Sequence, residues 1–228
     1  MRLAALFSFI LVAFAHTAVP SHAQNWDDDL EVYAVNVVKT APLEKQFTGY
    51  GIYLSDGMVI TAAHVVGHWA ELTNPRVLVA GLDLPAKVIK QGSFETTDLA
   101  LLSVDKERLP TSLRLRRNPL CKEVPTAGMN VVIVYPNRTV RSRIISPLLI
   151  PPQYRARFGT ALITEAQGSG SGVFQADKKC LLGIISGKVT KFKYRKLNGR
   201  IVTEKNGFAG FFVSASTIAN FLPAEFKF

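Results

Sequence analysis

From Val32 onward, apolar residues recur in short β-branched runs separated by turn residues, and no long 3.6-residue period appears. The first set of such runs is Val32–Val38, Gly51–Leu54, Met58–Thr61, Arg76–Ala80, Ala86–Lys90 and Leu99–Val104. The second is Val131–Tyr135, Thr139–Ile145, Leu162–Thr164, Val173–Gln175, Leu181–Ser186, Thr190–Lys196, Ile201–Glu204 and Phe211–Val213. Asp56-Gly57 and Asn198-Gly199 stand between strand pairs, the dipeptides that two-residue hairpin turns favour because both central residues need positive φ. Two short helices are expected. One follows His64; the other covers residues 215–222, where Ser214 or Ser216 can cap the start and Pro223 stops it. The pattern predicts an all-β protein.

The first residues do not fit that pattern. Arg2 precedes an apolar stretch from Leu3 to Ala15, and small residues follow at Ser21 and Ala23. This is the layout of a secretory signal peptide, with cleavage expected after Ala23. The stretch is shorter than the ~20 residues of a membrane span, so no stable membrane insertion is expected once residues 1–23 are removed. Residues 24–228 then form one domain or two small lobes sharing a site, with no long Pro/Gly/Ser linker between them.

The formal charge of +10 favours anionic partners such as acidic peptides or lipid headgroups. Export removes nucleic acid from reach. Asp27-Asp28-Asp29 reads as a solvated tail, since a cation site needs more ligands nearby. Cys121 and Cys180 are the only cysteines, and an isolated pair in an oxidising compartment ordinarily becomes a disulfide. A bridge closing a loop of this length stabilises by about 4 kcal/mol in the chain-entropy model.

Outside the leader the histidines are His64 and His68, so chemistry needing an imidazole base has little choice. His64 follows the strand-like Met58–Thr61 run, where a side chain can face a cleft, although a lone histidine among apolar residues is more often structural. Asp98 heads the apolar run Leu99–Leu102. A carboxylate there must be paired, because an isolated buried charge is costly; a turn or cap aspartate is the plainer alternative. Gly168-Ser169-Gly170-Ser171-Gly172 runs into a strand. Glycines beside a serine allow a tight turn that aims backbone N–H groups at one point, while a flexible loop has the same composition. His64 and His68 lack the glutamate and third ligand of a zinc site, so no metal and no cofactor is expected.

Taken together, in the order His, Asp, Ser, these segments resemble the chymotrypsin-like serine peptidases, and more closely the compact bacterial branch that includes glutamyl endopeptidases and high-temperature-requirement proteases. The resemblance rests on the segment from Gly49 to His64, on Thr97-Asp98-Leu99-Ala100-Leu101-Leu102, on the Ser169–Phe174 segment and on Gly183-Ile184-Ile185-Ser186-Gly187. It implies two packed six-stranded antiparallel β-barrels, about 30–115 and 120–213, followed by the short C-terminal helix. It implies His64 as general base, Asp98 as its orienting partner and Ser169 as nucleophile, with the backbone N–H groups of Gln167 and Ser169 as oxyanion donors. It also implies a Cys121–Cys180 bridge within the second barrel and a substrate-binding edge at Ser186, Gly187 and Lys188, with Thr164 in the pocket.

The chain departs from that pattern at the two positions before the nucleophile. The family has glycine two residues before the nucleophile and Asp or Asn just before it, whereas here Gln167 and Gly168 precede Ser169. Ser171 is a rival nucleophile, but choosing it breaks the match through Phe174. The expectation is an exported serine endopeptidase acting on peptide or protein substrates, acidic ones included. The competing expectation is a protease-like frame with weak or no activity that binds an anionic ligand or partner.

Overall fold

The computed structural model describes residues 28–39, 48–67, 74–146, 148, 161–163, 168–197 and 200–226. The leader, His68, Thr164, Gln167 and the Asn198-Gly199 turn lie outside the described residues.

Among the described residues, twelve strands form two closed antiparallel barrels. The first contains β1 (Ala34–Val38), β2 (Thr48–Ser55), β3 (Met58–Thr61), β4 (Arg76–Val79), β5 (Leu82–Gln91) and β6 (Ala100–Val104), joined in the order β1-β2-β3-β6-β5-β4. The second contains β7 (Asn130–Tyr135), β8 (Arg138–Ile145), β9 (Ala161–Ile163), β10 (Gly172–Gln175), β11 (Leu181–Leu197) and β12 (Arg200–Ser214), joined as β10-β11-β12-β9-β8-β7. Closure gives every strand of each barrel two neighbours, each along part of its length. This is the two-barrel, all-β architecture expected from the sequence.

Alternation along the strands explains why so many are apolar on both faces. On β2, Tyr53 joins the cluster inside the first barrel, with Val35, Val59 and Leu102, while Ile52 and Leu54 join the cluster between the barrels. On β7, Val131 and Ile133 line the second barrel and Val132 and Val134 face the first. The inter-barrel cluster also takes Ile60, Leu101, Phe174 and Ile184. Strands that meet neighbours on both faces need both faces apolar. The barrels are therefore one body, with a seam of core between them.

The Asp56-Gly57 turn has φ of 48° and 80°, as its dipeptide requires. The helical turn at His64 is Ala63–Val66, which contains the histidine instead of following it, and it is held at its end by Gly67 N–H donating to the Ala63 carbonyl at 3.0 Å. The C-terminal helix, Ala215–Phe221, is capped by Ser214 Oγ accepting from Thr217 N–H, and Ile218, Phe221 and Leu222 seat it on the inter-barrel cluster.

The strand runs Leu181–Ser186 and Thr190–Lys196, expected as separate, are one strand, as are Ile201–Glu204 and Phe211–Val213. The physical reason is a pair of bulges in the β11–β12 ladder, at Ile185/Gly187 and Val189/Thr190. Each absorbs an extra residue without ending the pairing. Only Gly210–Phe212 of β12 pairs with β9, so the register from Thr190↔Gly207 to Leu197↔Arg200 continues as a two-stranded arm beyond the barrel. Among the described residues no helix is long and apolar enough to cross a membrane.

Candidate active site

His64 is carried out of β3 by the Ala63–Val66 turn, and three contacts fix that turn. Gln91 Nε2 donates to the Gly67 carbonyl at 2.6 Å and to that of Ala63 at 3.5 Å, and Lys39 Nζ donates to the His64 carbonyl at 3.4 Å. The imidazole lies at the surface of the seam, its side chain 27% exposed, and meets the edge of Phe94 at 5.7 Å between ring centres, at 88°.

Asp98 reaches it from the connection between β5 and β6. That connection is a tight turn in which the N–H groups of Thr96, Thr97 and Asp98 all donate to the Ser93 carbonyl, at 3.1, 3.1 and 2.8 Å, and Gly92 N–H donates to the Leu99 carbonyl at 2.8 Å. Asp98 closes the turn with φ of 45°, a region open mainly to glycine and to Asn or Asp. Its side chain is fully buried. Such a carboxylate needs its lone pairs filled, and they are. Oδ1 accepts from the backbone N–H of His64 at 3.1 Å, both oxygens lie 2.9–3.0 Å from His64 Nδ1, and Ser186 Oγ donates to Oδ2. Two bonds to one residue fix the ring plane of His64 and place a proton on Nδ1, which leaves Nε2 as the basic nitrogen.

The Ser186 side-chain contact has no counterpart in the sequence reading, which used this residue only as a backbone partner for substrate. Ser186 is the extra residue of the bulge between Ile185 and Gly187, and a bulge re-aims a side chain. Here the hydroxyl turns inward to Asp98 and the residue is buried. Only the register of a long-range strand pair reveals this; the local signal was Ser beside Gly. Beyond Ile185, the edge of β11 on the β10 side has no strand partner among the described residues.

Ser169 sits in a turn that begins with Gly168 at φ 93° and continues with Gly170 at φ 88°. Its carbonyl accepts from Tyr50 N–H of β2 at 2.9 Å, and the Tyr50 carbonyl accepts from Thr61 Oγ1 of β3 at 2.5 Å. Gly170 N–H donates to the Ile185 carbonyl at 2.8 Å, and Ile185 N–H to that of Ser171 at 2.9 Å. The serine turn is thus tied to the strand that leads into His64 and to the strand that carries Ser186. Among the described residues the Ser169 N–H makes no hydrogen bond, and none joins Ser169 Oγ to His64. Ser169 is partly exposed; Ser171 is fully buried, and its Oγ has no partner among the described residues.

Gly187 packs on Phe211, 2.7 Å from where a Cβ would fall to the ring, and Lys188 is exposed. Cys121 and Cys180 form a disulfide whose Cα atoms are 5.0 Å apart. It links the segment entering the second barrel to the start of β11, where Cys121 N–H also donates to the Leu181 carbonyl at 2.9 Å. Thr164 and Gln167, expected in the pocket and the oxyanion hole, lie outside the described residues.

No family model matches the chain, and no curated protein matches it. Solved structures do. The active form of the Rv3671c protease of M. tuberculosis is 22% identical, with a TM-score of 0.63 over 97% of this chain and 93% of that one. The HtrA-type protease AlgW, solved with a tripeptide, is 18% identical, with a TM-score of 0.62 over 83% of this chain and 58% of that one. A serine endoprotease from Yersinia pestis is 18% identical, with a TM-score of 0.57 over 84% of this chain and 61% of that one. The fold is the chymotrypsin-like double barrel.

Proposed function

We propose that this chain is an exported serine endopeptidase that hydrolyses peptide bonds through an acyl-enzyme formed on Ser169. The observation that carries the reading is the fully buried Asp98, whose carboxylate binds both the ring and the backbone of His64 at the mouth of the inter-barrel seam. A structural aspartate needs no partly exposed imidazole as its partner. A triad aspartate does, because the imidazole must be held in one tautomer with Nε2 free.

In this reading Nε2 of His64 takes the Ser169 proton as Oγ attacks the carbonyl carbon, and returns it to the leaving amine. Water then repeats the sequence on the ester. Asp98 supports the imidazolium in both halves. The unclaimed N–H of Ser169 and that of Gln167 are assigned as donors to the developing oxyanion. The open edge of β11 at Ser186–Lys188 is assigned as the substrate's strand partner. The Ser169–His64 hydrogen bond is expected to form when substrate closes the site, since such bonds are often long in the free enzyme.

A second reading is favoured by one specific feature: the glycine before Ser169, where the resembling peptidases carry Asp or Asn. It is a protease frame that binds an anionic ligand without hydrolysis. A fluorophosphonate probe separates the two. The peptidase reading expects one adduct, on Ser169, that vanishes in His64→Ala; an unlabelled parent protein overturns it in favour of the binding reading.

A further inference from the structure

The position before Ser169 can hold no side chain as the molecule stands. A Cβ added to Gly168 would fall 2.3 Å from Cε2 and 2.7 Å from Cδ2 of Tyr50, far inside van der Waals contact, and the φ of 93° disfavours every L side chain. The obstacle is a ring from the other barrel. Tyr50 belongs to β2, and its backbone holds the serine turn on both sides. Its N–H binds the Ser169 carbonyl at 2.9 Å, and its carbonyl lies 1.8 Å from where a Cβ of Gly170 would sit. Beyond Gly168 the ring meets Tyr135 of β7 edge-on at 5.4 Å and 81°, and the Arg138 guanidinium lies 4.9 Å from the Tyr135 ring centre. The Tyr50 phenol oxygen makes no hydrogen bond among the described residues.

We propose that the Tyr50 ring occupies the volume that a side chain at position 168 would need, and that Tyr50 is the positioning residue that sets the Gly168–Ser169 peptide. Through this contact Tyr50 fixes the plane of the peptide whose N–H belongs to Ser169, so the ring governs transition-state stabilisation without touching substrate. This rests on Ser169 as nucleophile. It also gives a physical account of the glycine at 168: the turn is built around Tyr50 in place of a side chain of its own.

The test is a double-mutant cycle read in two ways, by thermal unfolding and by the rate of fluorophosphonate labelling with kcat and KM on a peptide substrate. The variants are Tyr50→Gly, Gly168→Asn and the double change, with Asn chosen because it tolerates positive φ better than other side chains. Gly168→Asn alone should lower the melting temperature and cut kcat by ~100-fold, the scale of a lost oxyanion donor. Tyr50→Gly alone should lower kcat while leaving KM near the parent value, and Tyr50→Phe should rescue it. In the double variant the introduced asparagine side chain gains the vacated space, and at least tenfold of the kcat lost in Gly168→Asn should return. Additive melting-temperature shifts, or Tyr50→Gly with parental kcat, overturn the proposal. If the parent is not labelled at all, the peptidase reading fails, and the thermal cycle alone decides whether the ring and a side chain at position 168 share one space.

Discussion

The Ser186 hydroxyl donates to Oδ2 of Asp98 across 88 residues of chain, joining the second barrel to the catalytic pair assigned in the first. Among the described residues it is the one side-chain hydrogen bond that Asp98 receives from the second barrel. Removing it leaves a buried carboxylate with one fewer donor, and hydrogen bonds to charged groups contribute about 1.5–3 kcal/mol. Ser186→Ala should therefore lose stability on that scale. It should also lower kcat less than Asp98→Ala does, since His64 keeps both of its bonds to the carboxylate. Urea unfolding and steady-state kinetics check the two halves; a kcat loss equal to that of Asp98→Ala would make Ser186 an equal member of the unit.

The two serines of the turn should separate cleanly. Ser169 is partly exposed, whereas Ser171 is fully buried and its hydroxyl has no partner among the described residues. An unsatisfied buried polar atom costs about 1–3 kcal/mol. Ser171→Ala removes that atom and should leave the protein as stable or more stable, with labelling retained and a melting temperature raised by about 2–4 °C for each kcal/mol gained. Ser169→Ala should abolish labelling without unfolding the chain. The reverse result, label lost in Ser171→Ala and kept in Ser169→Ala, would transfer the nucleophile.

What could be read from the sequence was local. Asp56-Gly57 announces its hairpin because the turn chemistry lies within the dipeptide, His64 and Asp98 stand out because each borders an apolar run, and Ser169 because it lies in a glycine-rich segment that runs into a strand. The inward turn of Ser186 was not legible, because it depends on the register of β11 against β12. Nor is the role proposed for Tyr50, which stands just before the Gly51–Leu54 run. Its role comes from packing against Gly168, far along the chain and in the other barrel. The arm is not legible for a related reason: Gly187 reads as a strand end, yet in the ladder it marks a bulge, and pairing resumes beyond it.

Alkaline pH should weaken the first barrel through Tyr53. Its hydroxyl accepts from Gly57 N–H at 3.3 Å inside the barrel, and burial pushes the phenol above its ordinary value near 10. The folded state thus holds its proton more tightly than the unfolded chain. That preference stabilises fully below about pH 10 and is lost as pH rises through the folded value. Tyr53→Phe removes the dependence. At pH 8 it should be less stable by about 1–3 kcal/mol, for the orphaned Gly57 donor. The gap should narrow steadily above pH 10 in urea titrations; a gap independent of pH would remove ionisation of Tyr53 from the account.

The β11–β12 arm sets the last expectation, a preference for acidic substrates. Residues 188–205 contain Lys188, Lys191, Lys193, Arg195, Lys196, Arg200 and Lys205 against the single acid Glu204, so more than half of the formal +10 lies on one ribbon. The register pairs Lys193 with Glu204 and leaves the other six cations opposite uncharged residues. The arm is also the direct continuation of the Ser186–Lys188 edge assigned to substrate, and Lys188 is exposed there. Concentrated charge of one sign beside a cleft raises the local concentration of opposite charge and speeds association by ~10-fold or more at low ionic strength. The gain should appear in kcat/KM through KM, because it acts on encounter and not on the acylation step. Raising salt from 10 mM to 0.5 M shortens the Debye length from about 30 Å to about 4 Å, and the preference should fade with it. Lys188→Glu should reduce the preference for peptides acidic near the scissile bond while leaving kcat on a neutral peptide unchanged. Equal cleavage of acidic and basic peptide libraries at low salt would show the arm to be a solvated face with no part in selection.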